Sequence, residues 1–230
     1  MLSSTFTNKV TITHIGTATA TLDIDGITFL TDPFFSPAGT TFQSSNHTLH
    51  TYENPALRLD QLPPIDAVLL SHENHPDNLD ELGRQLLDGR RAQPRAPARH
   101  ARLRRLAGAR GTHRRQACVG FVVHTADFGV APDGRLNAIY FSGDTVYRGD
   151  LAQVAEKYHV VVALVSLEKA TLDGLEITMD GRQAARLFRD LKADALVPMH
   201  YESWDHFTQN GEGVFKEFEA EGPGKAVEIN

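Results

Sequence analysis

Ser71-His72-Glu73-Asn74-His75-Pro76-Asp77-Asn78 follows directly on the mainly apolar run Ile65-Asp66-Ala67-Val68-Leu69-Leu70. A short apolar run that ends in a burst of polar residues predicts a buried strand opening into a loop. The same arrangement occurs twice more: Ser142-Gly143-Asp144-Thr145 follows Ala138-Ile139-Tyr140-Phe141, and Pro198-Met199-His200 closes on Ala195-Leu196-Val197. Loops at strand ends are where sheet proteins gather polar groups into one site. His72, His75, Asp77, Asp144 and His200 together offer nitrogen and oxygen donors suited to zinc, with manganese or iron as alternatives. The pattern predicts a metal-dependent hydrolase holding one or two ions.

Working outward, residues 9–14, 19–24 and 27–30 are predicted as strands, with Asp25-Gly26 a hairpin signal between the last two. Asp32-Pro33 then opens a long loop, through Asn54, with little periodic pattern. Loops of that length in a compact domain are often functional. Asn78 or Asp80 can cap a helix that places Leu79, Leu82, Leu86 and Leu87 on one face and ends near Gly89. Strands are predicted over 119–125, 137–142, 160–167 and 195–197, and helices over 150–158, 178–191 and around Val214, Phe215 and Phe218. Strands first, then helix-strand pairs, argue for sheets covered by helices.

The chain has 230 residues, 41% of them apolar, and a net charge of −6, enough for one large domain over residues 1–230. No run approaches a membrane span, and residues 1–10 lack the features of a signal peptide, so a cytoplasmic protein is expected. Cys118 is the one cysteine, which excludes an internal disulfide framework and leaves a small buried hydrophobe as its role. Residues 90–117 stand apart. They hold ten of the 23 Lys and Arg residues, no Asp or Glu, and only Leu103 and Leu106 as large apolar side chains. Removing those ten leaves 13 basic against 29 acidic residues elsewhere, a body that meets nucleic acid poorly. With so little apolar surface to offset chain ordering, this atypical Arg/Ala/Pro-rich segment is expected to be loosely held. A basic nucleic-acid arm and a stretch translated in another frame are alternatives, and the abrupt return of β pattern at Val119 favours the second.

These residues resemble the metallo-β-lactamase superfamily, and within it the branch of ascorbate-6-phosphate lactonase-like metal-dependent hydrolases. Ile15-Gly16-Thr17-Ala18-Thr19, Asp25-Gly26 and Leu30-Thr31-Asp32-Pro33 look like that branch's opening strands. Ser142-Gly143-Asp144-Thr145 looks like its bridging-aspartate loop, and Pro198-Met199-His200-Tyr201 like its final histidine loop. The resemblance implies an α/β class fold (α+β in some schemes), a four-layer αββα sandwich with metals at one edge between the sheets. The family signature H-x-H-x-D-H stands here as H-E-N-H-P-D-N, one residue longer. Aligned from its end, His75 takes the second histidine, Asp77 the aspartate and Asn78 the final histidine position, with His72 displaced by one residue. Asn78 offers an amide oxygen, a weaker zinc ligand than imidazole. A further family histidine on the strands before the bridging aspartate falls nearest His113, with His100 behind it.

The resemblance therefore assigns metal ligation to His72, His75, Asp77, Asp144 and His200, with Asn78 and His113 as additional candidates. Asp77 and Asp144 carry the catalytic roles, Asp144 bridging or holding an ion and Asp77 accepting a proton or binding the second ion. Asp32 can orient a ligand histidine by a hydrogen bond from behind. Trp204 and His206 follow His200 closely enough to line a cleft, with substrate contact and simple packing as the two readings. His14, His47, His50, His124 and His159 are structural histidines. The expected substrate is a small molecule carrying a lactone, ester or phosphodiester bond. The alternative is a catalytically impaired protein of the same fold, a binding module or defective gene product, motivated by the displaced His72, by Asn78 and by residues 90–117.

Overall fold

The computed structural model describes residues 5–43, 48–91, 102–110, 117–167, 169–172 and 175–222. In chain order the elements are β1 Val10–Gly16, β2 Thr19–Ile24, β3 Ile27–Thr31, β4 Thr41–Gln43, β5 Thr48–His50, β6 Ala67–Leu69, α1 Glu81–Arg91, β7 Arg102–Arg110, β8 Ala117–His124 and β9 Leu136–Phe141. There follow α2 Gln153–Lys157, β10 Tyr158–Ser166, β11 Thr171–Leu172, β12 Leu175–Glu176, α3 Gly181–Leu191, β13 Ala195–Met199 and α4 Gly211–Ala220.

Two sheets stack face to face. The first has the order β1-β2-β3-β6, antiparallel except for β6, which runs parallel to β3. The second has the order β13-β10-β9-β8-β7, with β13, β10 and β9 parallel and β8 and β7 antiparallel. Alternate residues of each strand point to opposite faces, so each sheet buries two apolar layers. Leu22, Phe29 and Leu69 of the first sheet meet Phe121, Ile139, Leu164 and Met199 of the second in the central layer. On the outer face of the second sheet, Val122, Val160 and Leu196 pack under Ala184, Leu187 and Phe188 of α3 and Val214 and Phe218 of α4. On the outer face of the first, Ile15, Leu30 and Ile65 meet Leu82 and Leu86 of α1. The result is the expected four-layer helix, sheet, sheet, helix sandwich.

Asp80 starts α1. Its Oδ1 accepts from Gly83 N at 2.7 Å, the capping bond, while Oδ2 accepts from Phe35 N at 2.9 Å and from the Ser36 hydroxyl at 2.6 Å. One carboxylate thus caps the helix and fixes the chain leaving β3. Gly83 makes the contact sterically feasible, since a Cβ there would lie 2.0 Å from the Pro33 carbonyl oxygen.

Four expectations change. Within the segment expected to be loosely held, residues 102–110 form β7, paired antiparallel with β8 from Arg102↔His124 to Arg110↔Ala117, while residues 92–101 and 111–116 lie outside the described residues. An edge strand is held by one ladder of backbone hydrogen bonds, which composition does not register. The loop 32–54 contains the β4-β5 hairpin. Residues 150–158 form a 3-10 turn, Gly149–Ala152, followed by the single α-turn of α2. The amphipathic helix begins at Gly181 rather than 178, because the Asp180 side chain accepts from Gln183 N at 2.9 Å and terminates the helix there. His47, His100 and His113 lie outside the described residues.

Candidate metal centre

The loops after β6, β9 and β13 converge at one edge of the sandwich, and they carry the five donors read from the sequence. The side chains of His72, Asp77, Asp144 and His200 are all buried. His72 Nε2 lies 3.0 Å from His75 Nδ1 and 3.9 Å from Asp144 Oδ2. His200 Nδ1 is 3.2 Å from Asp144 Oδ1, and its Nε2 is 3.6 Å from Asp77 Oδ2. The extra residue in the His72 to Asp77 run is absorbed in the loop, so His72 stays with the cluster. His200 has a left-handed backbone, φ 61°, at the turn that ends β13.

Two loops meet through Gly143. Its φ is +60°, and a Cβ there would stand 2.6 Å from Ser71 Cβ and 2.9 Å from Cys118 Sγ, so glycine admits both conformation and contact. Cys118 is a buried thiol whose Sγ accepts from Asp144 N at 3.4 Å. It supports the aspartate loop from below.

Asp32 does not touch a ligand histidine directly. Its Oδ1 accepts from Ser71 N at 2.6 Å and its Oδ2 from the Ser71 hydroxyl at 2.7 Å. Ser71 Oγ in turn lies 2.9 Å from His72 Nδ1. When Ser71 donates to Asp32, His72 Nδ1 must donate to Ser71, leaving the Nε2 lone pair facing the cluster. Ser71 is the residue that sequence reasoning missed; its only signal was adjacency to His72. Asn78 Nδ2 donates to Asp32 Oδ2 at 3.2 Å, and Asn78 Oδ1 is buried with no hydrogen-bond partner among the described residues.

The electrostatics are those of crowded buried charge. Burial, then the neighbouring Asp144 charge, raises the Asp32 pKa to about 8. Burial pushes Asp144 and Asp77 upward, but His200, joined by His72 and Asn78 at Asp144 and by His75 at Asp77, holds both carboxyls below the ordinary range. Burial lowers the pKa of His72 and His206. Among the described residues, no Lys or Arg pairs with Asp32, Asp77 or Asp144. Two buried carboxylates held ionised without a fixed cation, Asp77 and Asp144, beside imidazoles and an acceptor oxygen lacking a donor among the described residues, form a donor set that fits a bound metal cation. No group of three or more His, Cys, Asp or Glu side chains among the described residues is already set to hold an ion, because the donor atoms rest against one another.

For Trp204 the structure favours packing over substrate contact. The residue is 4% exposed, lies against Phe34 and Phe42, and its Nε1 donates to Thr17 Oγ1 at 3.4 Å. His206 instead reaches the cluster, its Nε2 3.9 Å from Asp77 Oδ2. His14 Nε2 bonds the Thr17 carbonyl at 3.0 Å and His159 Nε2 bonds Asp194 at 2.9 Å, both structural contacts. A cleft of about 790 Å³ opens beside His200, lined among others by His14, Thr17, Glu53, Glu202 and Phe215. No described helix is long and apolar enough to cross a membrane.

This geometry can be set beside known proteins. The sequence model of the beta-lactamase superfamily domain matches residues 11–200, from β1 through His200. The chain belongs to that superfamily. A superfamily relative described as a UPF0173 metal-dependent hydrolase, from Hyperthermus butylicus, is 29% identical over 212 residues, covering 83% of this chain and 82% of the relative. Another of the same description, from Pyrobaculum aerophilum, is 34% identical over 103 residues, 43% of each chain. The expectation of a metal-dependent hydrolase agrees with the names these relatives carry. Among solved structures, an isothiocyanate hydrolase from Delia radicum gut bacteria superposes with TM-score 0.73 at 18% identity, covering 94% of this chain and 95% of that one. A metallo hydrolase from Ignicoccus hospitalis does so with TM-score 0.67 at 17% identity, covering 96% and 95%. At these identities the superpositions establish the superfamily fold.

Proposed function

We propose that this protein is a metal-dependent hydrolase that cleaves a lactone, ester or phosphodiester bond in a small molecule, with zinc as the metal. The observation that carries this reading is the convergence of His72, His75, Asp77, Asp144 and His200 from three loops onto buried carboxylates that no Lys or Arg neutralises among the described residues. A bound metal ion supplies a water of near-neutral pKa and polarises the scissile carbonyl or phosphoryl oxygen. His72, His75 and Asp144 form one donor group. Asp77 and His200 form the beginning of another, and Asn78 Oδ1 is an additional buried acceptor.

The chain's own residues supply the rest. Asp144 lies between the groups, its Oδ2 toward His72 and its Oδ1 toward His200. Asp77, held ionised by His200, is placed to accept a proton from a group entering the cluster. Ser71 and Asp32 fix the His72 tautomer, and the cleft beside His200 gives substrate its approach. The lactonase-like branch and a cytoplasmic location are parts of this proposal that rest on the sequence reading.

The test is metal content with activity. Purified protein should carry zinc, and Asp144→Ala and His200→Ala should each lose it while keeping the circular dichroism of the parent. Metal-loaded parent should hydrolyse at least one member of a panel of lactones, aryl esters and aryl phosphodiesters. Parent protein that takes up no zinc, manganese or iron would favour the impaired binding protein instead.

A further inference from the structure

Resting on that metal reading, we infer that His206 is a metal ligand, completing with Asp77 and His200 a second three-donor site. Asp77 Oδ2 is the common point: His200 Nε2 stands 3.6 Å from it and His206 Nε2 3.9 Å. Two ligands on one tetrahedral zinc, with bonds of ~2.0–2.1 Å, stand roughly 3.3 Å apart. The observed separations are too long for good hydrogen bonds and longer than that spacing, so both imidazoles must draw in toward the carboxylate to share one ion. The other nitrogen of each ring already faces a carboxylate. His200 Nδ1 lies 3.2 Å from Asp144 Oδ1, the placement that orients a ligating histidine, whereas His206 Nδ1, 3.8 Å from Asp205 Oδ1, is buried with no hydrogen-bond partner among the described residues.

The loop carrying His206 is built to hold it. Asp205 N donates to His50 O at 3.2 Å, and Asp205 Oδ1 accepts from His50 N at 3.1 Å. Tyr52 N donates to Ser203 O at 2.8 Å, and the Ser203 hydroxyl to Glu53 Oε2 at 2.6 Å. Trp204 and Phe207 meet the His206 ring edge to face, at 5.7 and 4.7 Å between centroids. The segment running from β5 through Glu53 therefore staples His206 over Asp77. Asn78 is committed differently: its amide nitrogen faces Asp32 at the floor of the site. The second site would then be Asp77, His200 and His206, the first His72, His75 and Asp144.

The test titrates metal-stripped full-length protein with zinc alone by calorimetry and with cobalt by visible absorption. The parent should bind two ions. His206→Ala should bind the first as tightly as the parent and the second at least a hundredfold more weakly, with loss of part of the cobalt absorption. His206→Gln, which keeps a polar side chain and removes the imidazole, carries the same expectation should alanine loosen the loop, and His206→Asp should recover part of the second binding. A second ion bound as tightly by His206→Ala and His206→Gln as by the parent overturns this inference and leaves the hydrolase reading standing. A parent that binds no ion overturns both.

Discussion

Ser71 shows how a residue with no donor for the metal can set the quality of the site. Among the described residues it links the buried Asp32 carboxyl to the His72 ring. Ser71→Ala removes that link while the Ser71 backbone bond to Asp32 remains. Zinc affinity measured by calorimetry should fall about tenfold to a hundredfold, the range for partners that orient ligating histidines, with the fold kept. Unchanged affinity would mean that His72 is oriented by its neighbours in the cluster alone. Asp32 itself gives a pH signature in metal-free protein. Its folded pKa of about 8 lies above the ordinary 3.8, so the folded state binds the extra proton and stability declines as pH rises toward 8. His72 and His206, lowered from 6.5 by burial, act in the opposite direction but only below 6.5. From pH 6.5 to 8, urea midpoints of metal-free protein should therefore fall, and Asp32→Asn should flatten that slope.

Elements fix the distances between these residues, and two of them invite direct tests. Gly143 lets the β9 loop lie against Ser71 and Cys118. Gly143→Ala forces a Cβ into both neighbours at a left-handed φ, and should destabilise the protein by about 1–3 kcal/mol in denaturant melts. Zinc binding should weaken with it, because Asp144 follows immediately. β7 is the other case. The amides of Arg102–Arg110 that face β8 should exchange with deuterium more slowly than those facing outward, as a one-sided ladder requires. Uniformly fast exchange over these residues would contradict the pairing and restore the loose segment suggested by composition.

At the scale of the whole molecule, the acidic body and the buried carboxylates make the native state a receptor for cations. Folded protein binds an ion that the unfolded chain binds poorly, so zinc should raise the melting temperature in a concentration-dependent way and chelation should lower it. Asp144→Ala should abolish most of that response. The cleft of about 790 Å³ is bordered by His200 and by Gly211, Glu212 and Phe215 of α4.

Strand alternation, the Asp25-Gly26 turn and the leucine face of α1 are local patterns, and they were enough to place most of the strands and helices, while the four-layer order came from the family resemblance. The five donors were legible because each follows an apolar strand, and a strand's end is fixed by its own residues. What the sequence could not express is distance between segments far apart in the chain. Ser71 bonding Asp32 spans 39 residues, and Ser203 bonding Glu53 spans 150. Trp204 and His206 are two residues apart, yet one turns into the aromatic core and the other onto Asp77, a choice made by the β4-β5 hairpin. β7 is the clearest division: composition describes its side chains, while its place in the sheet comes from backbone groups that every residue carries and only a neighbouring strand can satisfy.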